Sequence, residues 1–286
     1  MNARPAAFPA LAAPAAEAHR APDAGWHRRA RPLLGTLVEV GVPCSDTHAN
    51  RWADIAFEAI AAVQACLSRF EPASEVARFN ALAAGEEIEV GAHAQAVLSA
   101  ARRLQHESAG LFDVSLGSAP DGWRLDGSRL RKLSPAVRLS LDGIAKGHAV
   151  DCAVQALRQA GCESGWVNAG GDLRSFGSAR VAVQLRDEAG GGVRAFASLL
   201  DGAFATSHYD ARSRCRLAEP GADPASPAPA PMPRAHAAVH VSVAAPLCLW
   251  ADALTKLVAL SGDAMHPLLA GFGAQAWLHA FPAHPQ

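Results

Sequence analysis

The sequence contains no run of about 20 apolar residues, the length that a membrane-spanning helix needs, so we expect no integral membrane segment. It also lacks any cluster of Lys and Arg. Its 26 basic and 27 acidic residues are scattered along the chain and leave a net charge of −1. Because nucleic-acid surfaces carry clustered basic residues, neither DNA nor RNA is an expected partner.

The six cysteines form no C-x-x-C pair and lie far apart in the sequence. Zinc sites use more closely spaced ligands, so we expect no zinc site. A chain of 286 residues is long enough to build a core without a disulfide framework, and a reducing compartment suits these thiols. Cys152 falls within the apolar run of a predicted helix and is interpreted as a small buried hydrophobe.

The first thirty residues are rich in Ala and Pro. Arg4 and the alanine-rich stretch after it weakly resemble a signal peptide. However, Pro5, Pro9 and Pro14 interrupt the apolar part, and no cysteine follows to take a lipid. We interpret residues 1–30 as a disordered tail and residues 31–286 as one folded domain. This predicts a cytoplasmic protein, with a periplasmic location as the alternative.

Half of the residues are apolar and 19% are charged, which supports a sizeable core. Strand and helix patterns alternate irregularly, with hairpins between them, which favours the α+β class with a mixed sheet and packed helices. Residues 220–235 form a Pro/Ala-rich loop. The predicted elements are a strand over 33–42, helices over 52–67, 94–106 and 247–260, a type I′ hairpin at Asp126-Gly127, strands around Gly170-Gly171, and a last strand in QAWLHAF.

The stretch from Leu139 to Gly161, LSLDGIAKGHAVDCAVQALRQAG, predicts a strand, a glycine turn and a helix. Val137, Leu139 and Leu141 alternate with polar neighbours, as in a half-buried strand, and helical spacing begins at Lys146. Free N–H groups and the helix dipole at such a turn attract phosphate. The stretch matches neither the Walker A nor the G-x-G-x-x-G pattern, so an ordinary turn with a surface lysine is the alternative.

Other motifs also have two interpretations each. In NAGGDLR, Asn168, Asp172 and Arg174 either decorate a hairpin or face a ligand. In ADALTK, Asp252 shares one helix face with Thr255 and with Lys256. Carboxylate and hydroxyl oxygens suit Mg²⁺, whereas an Asp–Lys pair is a plain salt bridge. FATS at 204–207 is a strand that ends in two hydroxyls, and most such ends are structural. In LFDVSLG at 111–117, an acid beside an aromatic residue either faces a ring-bearing ligand or caps an element.

In their order along the chain, seven motifs resemble the ApbE family of Mg²⁺-dependent FAD:protein FMN transferases. They are LLGT, SRFEPASEVARFN, GLFDVSLG, LDGIAKGHAVD, VNAGGDLR, FATS and VSVAAP…ADALTK, and the resemblance covers about residues 33–280. Family members split FAD at its pyrophosphate and attach FMN through a phosphoester to a Ser or Thr of an acceptor flavoprotein. The resemblance therefore implies a flavin cleft between two lobes, FAD as substrate, Mg²⁺ as cofactor, and an acceptor flavoprotein with a Ser/Thr flavinylation motif as partner.

The resemblance also implies particular site residues. For Mg²⁺ it implies the backbone carbonyl of Ala145 and the carboxylate of Asp252. The family's remaining ligand is a Thr four residues after that Asp, where this chain has Lys256. Either Thr255 rotates in, or the Lys256 ammonium replaces part of the metal's charge. For FAD, the matching positions are Leu34, Asn80, Leu111, Phe112, Asp113, Asp142, Lys146, His148 and Thr206.

Two departures from the family pattern affect this interpretation. Asp142 stands where the family usually has Gly, and its carboxylate is unfavourable beside an anionic ligand unless a positive charge compensates. The family's H-x-x-D-P-x-T-G loop, which assists the acceptor hydroxyl, is replaced by CRLAEPGA, with Arg216 and Glu219 at the His and Asp positions. His236 or His240 is a candidate base in its place, and the catalytic residue stays unassigned.

Two alternatives to FMN transfer stay open. One is a flavin-holding protein that binds FAD but has lost transfer, and the changes at Lys256 and in the loop favour it. The other is a Mg²⁺-dependent FAD pyrophosphatase, in which water receives the FMN.

Overall fold

The structure is a computed structural model and describes residues 25–43, 47–186, 192–209 and 239–280. Twelve strands and six helices lie in these ranges, and none of these helices is both long and apolar enough to cross a membrane. The strands are β1 (Trp26–Leu33), β2 (Thr36–Pro43), β3 (Glu87–Glu89), β4 (Trp123–Asp126), β5 (Arg129–Lys132), β6 (Gly165–Ala169), β7 (Asp172–Phe176), β8 (Arg180–Arg186), β9 (Val193–Leu200), β10 (Ala203–Tyr209), β11 (Val239–Ala245) and β12 (Gln275–Ala280). The helices are α1 (Ala49–Leu67), α2 (Glu75–Ala81), α3 (Ala92–Glu107), α4 (Ala145–Gln159), α5 (Cys248–Ser261) and α6 (Leu268–Gly271).

The centre of the fold is a seven-stranded antiparallel sheet in the order β1-β2-β6-β7-β10-β11-β12. Alternate side chains of each strand point to opposite faces. Val38, Val40 and Val42 of β2 are fully buried in the main core with α1, α4 and α5. Trp166 and Phe204 point the other way, into a second apolar cluster under the β8–β9 hairpin. The sheet therefore has a helix face and a hairpin face.

Glycine determines how closely α4 and α5 approach each other. A Cβ atom added at Gly147 would lie 2.2 Å from the Cys248 carbonyl oxygen. A side chain at this position would therefore push the first turns of the two helices apart. Asp151 of α4 strengthens the contact, because its carboxylate accepts hydrogen bonds from the backbone N–H groups of Cys248 and Leu249, both at 2.9 Å. The N-termini of α4 and α5 are thus held side by side.

A smaller sheet, in the order β3-β5-β4, packs with α2 and α3. Ser74 begins α2 by accepting a hydrogen bond from Ala77 N–H at 3.0 Å, as an N-cap residue does. The predicted hairpin at Asp126-Gly127 is confirmed, but its two-residue loop is Gly127-Ser128. Since only Gly127 of that loop has a positive φ, of 58°, the turn follows the II′ pattern rather than I′.

The α+β class is confirmed, and so are the predicted helices and the hairpin at Gly170-Gly171. The predicted strand over 33–42 is confirmed from Thr36 onward as β2, but its start is wrong, because Leu34 and Gly35 take positive φ and reverse the chain between β1 and β2. Since β1 begins at Trp26, the expected domain start at residue 31 falls inside a strand.

Residues 137–141 are not a strand, although Val137, Leu139 and Leu141 are buried in alternation. Their backbone groups bond elsewhere. Asn80 Nδ2 donates to the Leu139 carbonyl at 2.9 Å, and Leu139 N–H donates to Asn80 Oδ1 at 2.8 Å. Ser140 N–H donates to the Val114 carbonyl at 2.8 Å. A side-chain amide and a loop carbonyl thus take the place of a neighbouring strand.

Several predictions fall on residues outside the described ranges. These are most of the tail at 1–30, the Pro/Ala-rich loop at 220–235, and the candidate loop residues Arg216, Glu219 and His236. Within the described ranges, Cys66, Cys152 and Cys248 are free thiols. The compartment stays a prediction.

Candidate active site

The N-terminus of α4 meets a carboxylate of the protein itself. Gly147 N–H donates to Asp252 Oδ2 at 3.1 Å, across from α5. The N–H groups of Ile144 and Ala145 both donate to the Leu141 carbonyl, at 3.0 and 2.8 Å. The prediction of free N–H groups for a phosphate is therefore wrong for these three amides. Asp252 is the anion at this end of the helix.

Four charged side chains surround this point, and we refer to Lys146, Asp172, Asp252 and Lys256 as the four-charge cluster. Lys146 Nζ lies 2.5 Å from Asp172 Oδ2, and Lys256 Nζ forms an ion pair with Asp252 Oδ1. The two carboxylates are buried, whereas Lys146 and Lys256 keep 31% and 19% of their side chains exposed. The cluster is neutral overall, and its positive members face outward.

The burial and pairing of these groups set their pKa values. Burial by itself would lower the pKa of Lys256 and of Lys146, but the neighbouring carboxylates outweigh it and raise both pKa values. Burial would likewise raise the pKa of Asp252, yet the ammonium groups of Lys256 and Lys146 hold it below its usual value. Both lysines are therefore cationic at neutral pH, and Asp252 is ionised.

Asp172 behaves differently from Asp252. Burial, reinforced by the charge of Asp252, raises its pKa to about 6 despite the Lys146 ammonium beside it. Its Oδ1 atom is buried and has no hydrogen-bond partner within the part of the chain that the structure describes. Asp172 is thus the carboxylate of the cluster that most readily takes up a proton.

The residues around Asp252 do not fit a resident Mg²⁺. Magnesium prefers about six oxygen ligands at roughly 2.0–2.1 Å. Each oxygen of Asp252 already accepts one contact, from Lys256 and from Gly147 N–H, and the Lys256 ammonium places a positive charge where a cation would have to approach. Thr255 is fully buried, and its hydroxyl bonds to the Asp252 carbonyl at 2.7 Å and to Ser207 Oγ at 2.9 Å. A lysine has no lone pair for a metal when charged. Of the two residues considered in place of the family's Thr, it is Lys256 and not the Thr255 hydroxyl that contacts the Asp252 carboxylate.

Two of the predicted flavin-binding residues, Asn80 and Asp113, hydrogen-bond to the protein backbone. Asn80 holds residue 139 through the two hydrogen bonds described above. Asp113 accepts hydrogen bonds from the N–H groups of Ser115 and Gly117 and from the Ser115 hydroxyl, at 2.7–2.8 Å. Leu111 and Phe112 pack into the core beside it, Phe112 almost completely buried. These residues shape the loops that lead into α4, and their polar atoms are committed.

Two more of the predicted flavin-binding residues are Leu34, in the β1–β2 turn, and Asp142, next to Gly143. Leu34 takes a φ of 54° in the β1–β2 turn and donates its N–H to Gln64 Oε1 at 2.6 Å. Asp142 is exposed and accepts a hydrogen bond from Arg69 Nε at 2.9 Å. Arg69, which the sequence interpretation missed, is therefore the positive charge that compensates this carboxylate. Gly143 lies directly against Lys256, so the turn adjoins the four-charge cluster.

The structure does not bring Thr206, His240 or His148 to the four-charge cluster. Thr206 and His240 point to the hairpin face of the sheet, where the Thr206 hydroxyl lies 3.0 Å from Ser242 Oγ and His240 packs against His208. On β10 it is Ser207, the next residue, that faces the helices and reaches Lys256. His148 turns toward α3 instead.

A cavity of about 880 Å³ also lies on the hairpin face. Its lining includes Thr206, Trp166 and His240, and it contains no member of the four-charge cluster. It is therefore separate from the site at the α4 N-terminus.

An ion pair between Asp151 of α4 and Arg174 of β7 lies next to the site. Arg174 Nη1 lies 2.5 Å from Asp151 Oδ1, and both side chains are nearly buried. NAGGDLR thus combines both interpretations: Asn168 stabilises the hairpin through Gly171 N–H at 3.1 Å, while Asp172 and Arg174 reach α4. The period-two alternation of β7 was the signal that placed Asp172 and Arg174 on one face.

Comparison with known proteins gives the family and the fold of the chain. The model of the ApbE family matches residues 34–132 and 119–275. The chain belongs to the ApbE family. A relative from Rhodobacter capsulatus named FAD:protein FMN transferase is 30% identical over 155 residues, which is 43% of this chain and 30% of that protein. The chain therefore spans under a third of that relative's length.

Solved structures of ApbE proteins share the fold. The apo form of the flavinyl transferase ApbE from Pseudomonas stutzeri has a TM-score of 0.71 at 19% identity, over 91% of this chain and 92% of that one. The ApbE protein from Thermotoga maritima has a TM-score of 0.70 at 20% identity, over 89% and 94% of the two chains. At 19–20% identity, this likeness establishes that the chain has the same fold, but not its activity.

Proposed function

We propose that this chain transfers FMN from FAD to a Ser or Thr hydroxyl of an acceptor flavoprotein and releases AMP. The observation that carries the proposal is the four-charge cluster at the α4 N-terminus, in a chain of the ApbE family. Family membership supplies the reaction class. The cluster supplies two ammonium groups on buried carboxylates, a suitable arrangement for a diphosphate.

The proposed reaction exchanges one phosphoester for another. The acceptor oxygen attacks the phosphorus on the FMN side of the pyrophosphate, the bond to the bridging oxygen breaks, and AMP leaves with that oxygen. The hydroxyl proton passes to a base or to solvent. In phosphoryl chemistry the protein mainly positions the groups and neutralises charge. Here Lys146 and Lys256 perform the neutralisation, and Asp172 and Asp252 hold them in place.

The Mg²⁺ dependence implied by the family resemblance is the point at which this chain differs. Because Asp252 is paired with Lys256 and Thr255 is turned into the protein, we propose that the Lys256 ammonium takes the place of the metal. An ammonium that is held in place by a buried carboxylate needs little reorganisation when negative charge develops on the leaving AMP. The reaction is then expected to proceed without a resident divalent cation.

Incubation of the purified protein with FAD and an acceptor domain that carries a Ser/Thr flavinylation motif tests the proposed activity. In-gel flavin fluorescence should show a labelled acceptor, and the variant Asp252→Ala should not label it, because Lys256 loses its partner. FAD that is bound but intact would instead indicate the flavin-holding protein. Release of FMN and AMP without labelling would indicate the FAD pyrophosphatase.

A further inference from the structure

Three metal-ligating side chains meet between α3 and α4, and none of them belongs to the four-charge cluster. His93 lies in the first turn of α3, and His148 and Cys152 are one turn apart on the same face of α4. His93 Nδ1 lies 3.2 Å from His148 Nε2. Cys152 Sγ lies 3.4 Å from His148 Nε2 and 3.8 Å from His93 Nδ1. All three side chains are partly buried.

These separations match those of ligands around one tetrahedral zinc ion. Zn–N bonds of about 2.0–2.1 Å and Zn–S bonds of about 2.3 Å place two nitrogens roughly 3.3 Å apart and a nitrogen and a sulfur roughly 3.6 Å apart. The three observed distances lie within a few tenths of an ångström of these values. The side chains need little rearrangement to bind a cation between them.

We propose that His93, His148 and Cys152 bind one zinc-class divalent cation, with a fourth coordination position left for water or another ligand. Imidazole and thiolate select a borderline-soft cation such as Zn²⁺ over Mg²⁺. On binding, the Cys152 sulfur loses its proton to solvent and the Zn–S bond takes the place of the S–H bond.

The geometry of these three residues bears on two expectations from the sequence. Cys152 is not a fully buried hydrophobe, since it reaches two imidazoles at the helix surface. The wide separation of the cysteines along the sequence also gave no sign of this cluster, because two of its three residues are histidines. Of the three, His93 lies 55 residues from His148 along the chain, and helix packing brings them together.

The position of the site suggests what a bound cation would do. His148 directly follows Gly147, whose N–H group holds Asp252. A metal ion on His148 and His93 would therefore fasten the first turn of α3 to the first turn of α4, beside the four-charge cluster. This inference rests on the His/His/Cys geometry and stands independently of the proposed FMN transfer.

The test uses the full chain, stripped of metal with a chelator and returned to chelator-free buffer. Competition with a chromogenic zinc indicator should show one Zn²⁺ per chain. Cobalt should add a thiolate-to-cobalt charge-transfer band in the near ultraviolet, together with the strong visible bands of four-coordinate Co²⁺. Cys152→Ser should abolish the charge-transfer band, and both Cys152→Ser and His93→Gln should weaken Zn²⁺ binding by at least about tenfold.

Cys66→Ser is the matched control, because Cys66 is another partly buried free thiol that lies outside the cluster. It should bind zinc and cobalt as the wild type does. Circular dichroism would confirm that each variant is folded. Wild-type protein with neither zinc binding nor a charge-transfer band would overturn the proposal, and so would binding that is unchanged in both Cys152→Ser and His93→Gln. Either result would leave a simple imidazole–imidazole hydrogen bond.

Discussion

The carboxylate of Asp252 joins two helices, because its Oδ2 atom accepts the N–H of Gly147 at 3.1 Å while its Oδ1 atom binds the ammonium of Lys256. An anion at a helix N-terminus is electrostatically favourable, and here α5 provides it for α4. The Gly147 amide is therefore taken, and the Lys146 and Lys256 side chains are the positive groups beside it that a ligand could reach.

Asp151 should be among the strongest single contributors to stability near the site. Asp151→Ala removes two hydrogen bonds to the α5 N-terminus and leaves Arg174 unpaired in a nearly buried position. We expect the free energy of unfolding to fall by about 2–4 kcal/mol in denaturant titrations. The control is Asp201→Asn, which breaks the exposed pair with Arg158 and should cost less than about 1 kcal/mol. Equal losses in both variants would contradict this account of the α4–α5 contact.

Gly147 should not tolerate even a methyl group. In Gly147→Ala the new Cβ meets the Cys248 carbonyl at 2.2 Å, so the helices must separate. We expect a loss of about 1–3 kcal/mol in the free energy of unfolding, measured by chemical denaturation. Gly271→Ala is the matched control, because nothing lies within 4 Å of its Cβ position in α6. That change should be neutral or stabilising by up to about 1 kcal/mol. A neutral Gly147→Ala would show that the close approach is dispensable.

The raised pKa of Asp172 should be visible in the pH dependence of stability. Between its ordinary value of 3.8 and about 6, the folded protein binds more protons at this group than the unfolded chain does. The contribution of this carboxyl to stability is therefore greatest at low pH and is lost as the pH rises through 6. Relative to Asp172→Asn, the free energy of unfolding of the wild type should fall by about 2–3 kcal/mol between pH 4 and pH 7.

The measurement for Asp172 is the difference between the two proteins in the free energy of unfolding, taken across that pH range. Asp252 has a lowered pKa and contributes with the opposite sign, and because its charge also acts on Asp172, the difference reports the two linked carboxyls together. A difference that does not change with pH would mean that Asp172 keeps an ordinary pKa.

Arg69 should protect FAD binding from the charge of Asp142. Arg69→Gln leaves the Asp142 carboxylate without its partner near an anionic ligand. Because the pair is partly exposed, we expect FAD to bind about two- to fivefold more weakly, and less so at high salt. In the double variant Arg69→Gln/Asp142→Asn the affinity should return to the wild-type value. Flavin fluorescence titration measures it, and equal affinities for the single and double variants would contradict this role of Arg69.

The sequence predicted the elements well where one pattern dominates. The helical period of α1, α3, α4 and α5 was sufficient, and so was the glycine pair between β6 and β7. It failed at 137–141 because alternating burial does not reveal what the backbone bonds to, and there the partner is the Asn80 side chain, 59 residues away. The pairing of Lys146 with Asp172 and the meeting of His93 with Cys152 depend on tertiary packing, which no local pattern encodes.

Transfer of FMN in the presence of a chelator tests the central claim, that the Lys256 ammonium stands in place of a metal. Acceptor labelling would be followed by in-gel flavin fluorescence for the wild type and for Lys256→Thr, with EDTA, with added Mg²⁺ and with added Zn²⁺. We predict that the wild type labels the acceptor in EDTA, whereas Lys256→Thr does so only when Mg²⁺ is supplied. Loss of wild-type labelling in EDTA, with recovery by Mg²⁺ but not by Zn²⁺, would contradict it.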